Sequence, residues 1–133
     1  MRSTYNVLFI DDNEINNELT KAIVDVEDLP INATTHTNPV EALKYLGIIN
    51  NQDFPTYIFV DVNMPELDGF TFVERYEKEF PENNTQIYFL SASIVEEDKS
   101  RAMQYKSVIG YYEKPFSIEI ANDIFNFGAD EDE

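Results

Sequence analysis

Cysteine is absent from the 133 residues, so there is neither a disulfide framework nor a thiolate metal site. No apolar run approaches the ~20 residues that a membrane helix requires. Met1-Arg2-Ser3-Thr4 also lacks the apolar stretch of a signal peptide. These absences point to a cytoplasmic protein. Basic residues are scarce: nine Lys and Arg stand against 26 Asp and Glu, a net charge of -17. Such a surface repels phosphate backbones and anionic lipid, so direct nucleic-acid binding and membrane insertion are not expected. Much of that charge simply confers solubility. No repeat, low-complexity stretch or linker divides the chain, and its length suits one domain with a full core. Residues 1–128 are read as that domain. Residues 129–133, which include Asp130-Glu131-Asp132-Glu133, are expected to form a disordered acidic tail.

What is present is a regular alternation of strand-like and helix-like segments. Tyr5 to Ile10 and Tyr57-Ile58-Phe59-Val60 are apolar on both faces, as strands inside a sheet are. After the first, Ile15, Leu19, Ala22, Ile23 and Val26 share one side of a helix, the side that ordinarily meets a core. Pro30 stops it, and Ile31 to Thr37 alternates as an edge strand does. Asn38-Pro39 opens a second helix, with Glu41 in the capping-box position, Val40, Leu43 and Leu46 facing inward and Gly47 closing it. A polar loop covers 48–55. The third helix follows Gly69, carries Phe72, Tyr76 and Phe80, and ends at Pro81. Gln86 to Ser91 is a fourth strand. Ser93 and Glu96 predict a capping box for a helix reaching about Tyr105. Val108 to Tyr112 is the fifth strand, and Ser117 to Phe127 is a last helix closed by Gly128. This pattern gives a doubly wound α/β fold: a five-stranded parallel sheet with helices on both faces and strand order 2-1-3-4-5.

That order sets strands one and three side by side and gathers acids at the C-terminal lip, where open α/β sheets place ligands. Asp11 and Asp12 close the first strand and Asp61 the third. Three carboxylates there repel one another and raise a pKa unless a cation holds them. Ser91 closes strand four, Lys114 follows strand five, and Asn63 offers a backbone carbonyl two residues beyond Asp61. Charges of about -3 from the acids and +1 from Lys114 come near zero with a divalent cation. Oxygen donors without cysteine or a nearby histidine favour Mg2+, or Mn2+, over zinc. A carboxylate beside such an ion, a hydroxyl and a lysine suits phosphoryl transfer. Asp61, presented centrally, is the preferred nucleophile and would form an aspartyl-phosphate. Asp11 and Asp12 would hold the metal, while Lys114 and Ser91 meet the phosphoryl oxygens.

Asp11-Asp12, Phe59-Val60-Asp61 with Met64-Pro65 and Gly69, Leu90-Ser91-Ala92, and Tyr111 with Lys114-Pro115-Phe116 together resemble the response-regulator receiver domain of two-component signalling. The likeness runs from Asn6 to about Phe127. Each motif alone is common; all four in order at the ends of alternate strands are highly specific. The resemblance implies a flavodoxin-like, CheY-like fold and a phosphoacceptor signalling domain rather than an enzyme. It implies that Asp61 takes its phosphoryl group from a sensor histidine kinase or a histidine phosphotransfer protein. Asp11 or Asp12, Asp61 and the Asn63 carbonyl would coordinate magnesium. Ser91 and Tyr111 would form the switch, changing the face of helix four, strand five and helix five for an unidentified downstream protein. The Lys114–Pro115 bond would be cis. A monomer or a weak phosphorylation-dependent dimer is expected. Asn63 and Ser93 stand where the family tunes phosphoryl lifetime. Departures are Lys106-Ser107 where the family commonly has a glycine, and a short last helix without basic residues. A stand-alone receiver and a domain of a larger protein fit equally.

Plainer readings stand beside these. Asp11 and Asp12 suit a helix N-terminus, Tyr111 suits any strand, Ser91 is an ordinary strand-end hydroxyl, and His36 fits an edge strand's surface. A haloacid-dehalogenase-type phosphatase would need a second aspartate where Asn63 stands. A flavin carrier would need a phosphate cradle where Asp11, Asp12, Asn13 and Glu14 repel one.

Overall fold

The computed structural model describes residues 4–92 and 94–125. Strands β1 (Tyr5–Ile10), β2 (Ile31–His36), β3 (Tyr57–Val60), β4 (Gln86–Ser91) and β5 (Val108–Glu113) alternate with α1 (Glu14–Val26), α2 (Pro39–Ile48), α3 (Gly69–Glu79), α4 (Glu96–Ala102) and α5 (Ile118–Phe125). Every pairing is parallel and the order is β2-β1-β3-β4-β5, the doubly wound arrangement expected from the sequence.

The central strands are apolar throughout because both sheet faces are covered. Leu8, Ile10, Ile58, Val60, Ile87 and Phe89 join Leu43 and Leu46 of α2 and Phe72, Val73 and Tyr76 of α3. Alternate residues Val7, Phe9, Phe59, Tyr88 and Leu90 join Val24 of α1 and Ile120, Ala121 and Phe125 of α5. Register then positions the lip. Ile10 pairs with Val60, and the Asp61 N–H donates to the Ile10 carbonyl at 3.1 Å. Asp11 and Asp61 therefore leave adjacent strands at one level. Gly69 starts α3 directly beneath: a Cβ there would lie 2.3 Å from the Asp61 carbonyl oxygen and 2.7 Å from the Phe89 ring. Only glycine allows that approach.

Several local expectations are corrected. α1 turns Asn17, Thr20 and Val24 to the sheet, whereas Ile15, Leu19 and Val26 are 65%, 53% and 80% exposed. The reason is polar: the helix crosses strand ends, and Asn17 Nδ2 donates to the Asp11 carbonyl at 3.0 Å. An apolar residue there would strand a buried acceptor. α2 continues through Gly47 to Ile48, its start fixed by Asn38, whose side chain accepts from the Val40 and Glu41 N–H groups. α4 begins at Glu96 with Val95 at its N-cap and no side-chain cap, and it ends at Ala102 rather than near Tyr105. The Ser93 part of the expected capping box lies outside the described residues. Before β5, at the Lys106-Ser107 departure from the family's common glycine, the Ser107 N–H and Oγ both donate to Glu77 Oε2, at 2.9 and 2.6 Å. The proposed tail, 129–133, and the closing Gly128 fall among residues 126–133, outside those described.

Candidate functional site

β1 and β3 deliver Asp11 and Asp61 to the lip, 8% and 7% exposed, with Asp12 exposed beside them. Each of the three offers a carboxylate oxygen, all within 4.8 Å of one another. Lys114 enters from β5, its N–H donating to the Ser91 carbonyl at 2.7 Å. The Lys114–Pro115 bond is cis. Phe116 then anchors the segment, its ring centroid 5.1 Å from Phe9 and 5.3 Å from Phe59. The Lys114 ammonium bridges the two buried acids, 2.6 Å from Asp11 Oδ2 and 2.8 Å from Asp61 Oδ2.

Burial raises the Asp61 pKa and outweighs the Lys114 hydrogen bond and charge, which lower it; Asp11 adds to the rise. For Lys114 burial acts downward, but hydrogen bonds and charge from Asp11 and Asp61 overturn it and leave that pKa raised. The two ends of this pair thus differ: Lys114 gains from it more than it loses, and Asp61 does not. Three carboxylates against one ammonium leave an excess of negative charge that hard oxygen donors hand naturally to a divalent cation.

The other expected residues sit around this core. Asn63 is exposed, and its N–H donates to Asp61 Oδ1 at 3.3 Å. Ser91 is 4% exposed at the end of β4. Tyr111 is also buried, its ring stacked on Phe89 with centroids 5.8 Å apart. Its hydroxyl is enclosed and makes no well-formed hydrogen bond among the described residues. The Ser91 side chain is close enough to oppose the rise that burial causes in its pKa. Sequence reasoning missed two contributors. Asn16 Nδ2 donates to Asp11 Oδ2 at 3.2 Å, and Asn17 holds the strand end behind it. Their signal was a polar pair inside the first turns of a helix, legible only once its buried side is known.

The pattern of the response regulator receiver domain matches residues 7–124. The chain belongs to that family. Over 117 residues it is 29% identical to the sensor histidine kinase CheAY of Helicobacter pylori, covering 88% of this chain and 14% of that protein. It thus spans a small part of that longer relative. A two component response regulator from Cytophaga hutchinsonii superposes with a TM-score of 0.85 at 25% identity, covering 95% of this chain and 97% of that one. The receiver domain of Francisella response regulator 1452 gives a TM-score of 0.75 at 26% identity, covering 98% and 100%. Receiver domains assist their own phosphorylation and dephosphorylation and work in relays with histidine kinases or phosphotransfer proteins. Family membership sets aside the phosphatase and flavin-carrier readings. Among the described residues, no helix is long and apolar enough to cross a membrane.

Proposed function

We propose that this receiver, in the cytoplasm, accepts a phosphoryl group on Asp61 from the histidine of a sensor kinase or phosphotransfer protein. The observation that carries this is the convergence of Asp11, Asp12 and Asp61 within 4.8 Å, with Lys114 bridging the two buried acids. An Asp61 oxygen attacks phosphorus, the P–N bond breaks, and its electron pair stays on the donor imidazole. Asp11, Asp12, Asp61 and the Asn63 carbonyl would hold Mg2+ or Mn2+. When bound, that ion supplies positive charge for the phosphoryl oxygens. Lys114 moves from the carboxylates to one of those oxygens, and the Ser91 hydroxyl donates to another.

The exposed side of α1 supports a helical donor. Ile15, Leu19 and Val26 form an apolar stripe, and a groove lined by Leu19, Ile23, Pro115 and Phe116 runs from it to Asp11 and Lys114. An apolar helix seated on the stripe would bring its histidine to the lip. The output is assigned to α4, β5 and α5, where Ile94, Val95, Met103 and Ile109 are exposed to a downstream protein. Because the Tyr111 ring is already buried, phosphorylation is proposed to hold it there through Ser91 rather than drive it inward, a shift of population.

Intact-protein mass spectrometry after incubation with acetyl phosphate tests the reaction. One phosphoryl adduct is expected with magnesium and none with a chelator. An adduct that forms equally with the chelator contradicts the metal-dependent reading.

A further inference from the structure

Asp11 is held by donors from three parts of the chain. The Asn13 N–H donates to Oδ1 at 2.9 Å. Asn16 Nδ2 and the Lys114 ammonium both reach Oδ2, at 3.2 and 2.6 Å. Asn16 is itself fixed. Its N–H donates to the Asn13 side chain at 3.3 Å, and its carbonyl accepts from Thr20 Oγ1 at 3.0 Å. Asn17, one position on, is 5% exposed and turns the other way, its amide on the Asp11 and His36 carbonyls at 3.0 and 3.4 Å.

We infer that Asn16 is a positioning residue that orients the Asp11 carboxylate toward a divalent cation, while Asn17 holds the strand end bearing it. This rests on the magnesium reading above. Charge separates the two side-chain donors on Asp11. Lys114 is the shortest contact of Asp11, but an ammonium repels a divalent ion and leaves when phosphoryl oxygens arrive. Asn16 is then the one side-chain donor remaining on Asp11 among the described residues. A neutral amide restrains the carboxylate without opposing the metal's charge, which a lysine or arginine at that position would not do. Partners of this kind, one bond removed from a ligand, commonly set metal affinity.

The neighbouring asparagines provide the test. Asn16→Leu and Asn17→Leu keep similar bulk and remove the amide. Magnesium alone is titrated against the Asn13 and Asn63 amide resonances, and thermal unfolding is followed without metal. Asn16→Leu should weaken magnesium binding about tenfold and leave the metal-free melting temperature close to that of the native chain. Asn17→Leu should lower the melting temperature clearly. Equal magnesium affinity in Asn16→Leu and the native chain overturns the inference while leaving the metal site intact. So does a melting loss in Asn16→Leu that matches Asn17→Leu. A native chain whose resonances ignore magnesium would instead bring down the reading beneath it.

Discussion

α1 and α5 cover the same face of the sheet and use it in opposite ways. α5 turns Ile120, Ala121 and Phe125 inward, as an amphipathic helix is expected to. α1 puts Asn17 and Thr20 beside Val24 on its buried side and leaves Ile15, Leu19 and Val26 in solvent. One helix is built to fill the core. The other serves the strand ends beneath it and keeps its apolar stripe free. The contrast teaches that apolar periodicity reports where apolar residues lie on a helix, and not which side the fold covers.

Substitutions on the two helices should separate these roles. The largest effect is expected from Phe125→Ala on α5, where the ring is 3% exposed and its centroid lies 5.0 Å from Tyr57. Chemical denaturation should show a loss of about 3–5 kcal/mol; a loss below one would mean that α5 is not a core element. On α1, Asn17→Leu removes the donor to the Asp11 carbonyl, and the same measurement should register about 1–3 kcal/mol. No loss would mean that the buried amide is dispensable.

The next effect depends on pH. Burial raises the folded-state pKa of Asp61 above its ordinary value, with Lys114 only partly offsetting it. Below the ordinary value the group is protonated folded and unfolded alike. As pH rises between the ordinary and the raised value, the unfolded chain releases its proton first, so this group's contribution to stability falls and then levels off. Asp61→Asn should therefore match the native melting temperature in acid and exceed it at neutral pH. A variant less stable at neutral pH would show that the Lys114 pair outweighs burial.

The smallest stability effect is expected from Leu19→Ser, on the exposed stripe: within about 0.5 kcal/mol. Labelling by acetyl phosphate should be unchanged, yet transfer from a phosphohistidine protein should slow several-fold. Unchanged transfer would remove α1 as the docking surface.

The central strands were legible because burial on both faces leaves a continuous apolar run, the order because Ile31 to His36 alternates as an edge strand does, and Asp11, Asp12 and Asp61 because they follow apolar runs directly. The orientation of α1 was not. Its buried side is selected by a hydrogen bond from Asn17 to a strand end, a partner far outside any periodic pattern. Gly47 misled because a glycine with ordinary φ sits inside a helix at modest cost. The site's acids were readable as types and places; the amide of Asn16 that aims one of them required the helix's rotation.

Chemical trapping decides whether Asp61 is the nucleophile. Borohydride reduces an aspartyl-phosphate to homoserine, and peptide mapping of the protein treated with acetyl phosphate and magnesium then locates the converted residue. Conversion at Asp61 is expected. Conversion at Asp11 or Asp12, with Asp61 unchanged, would contradict the assignment.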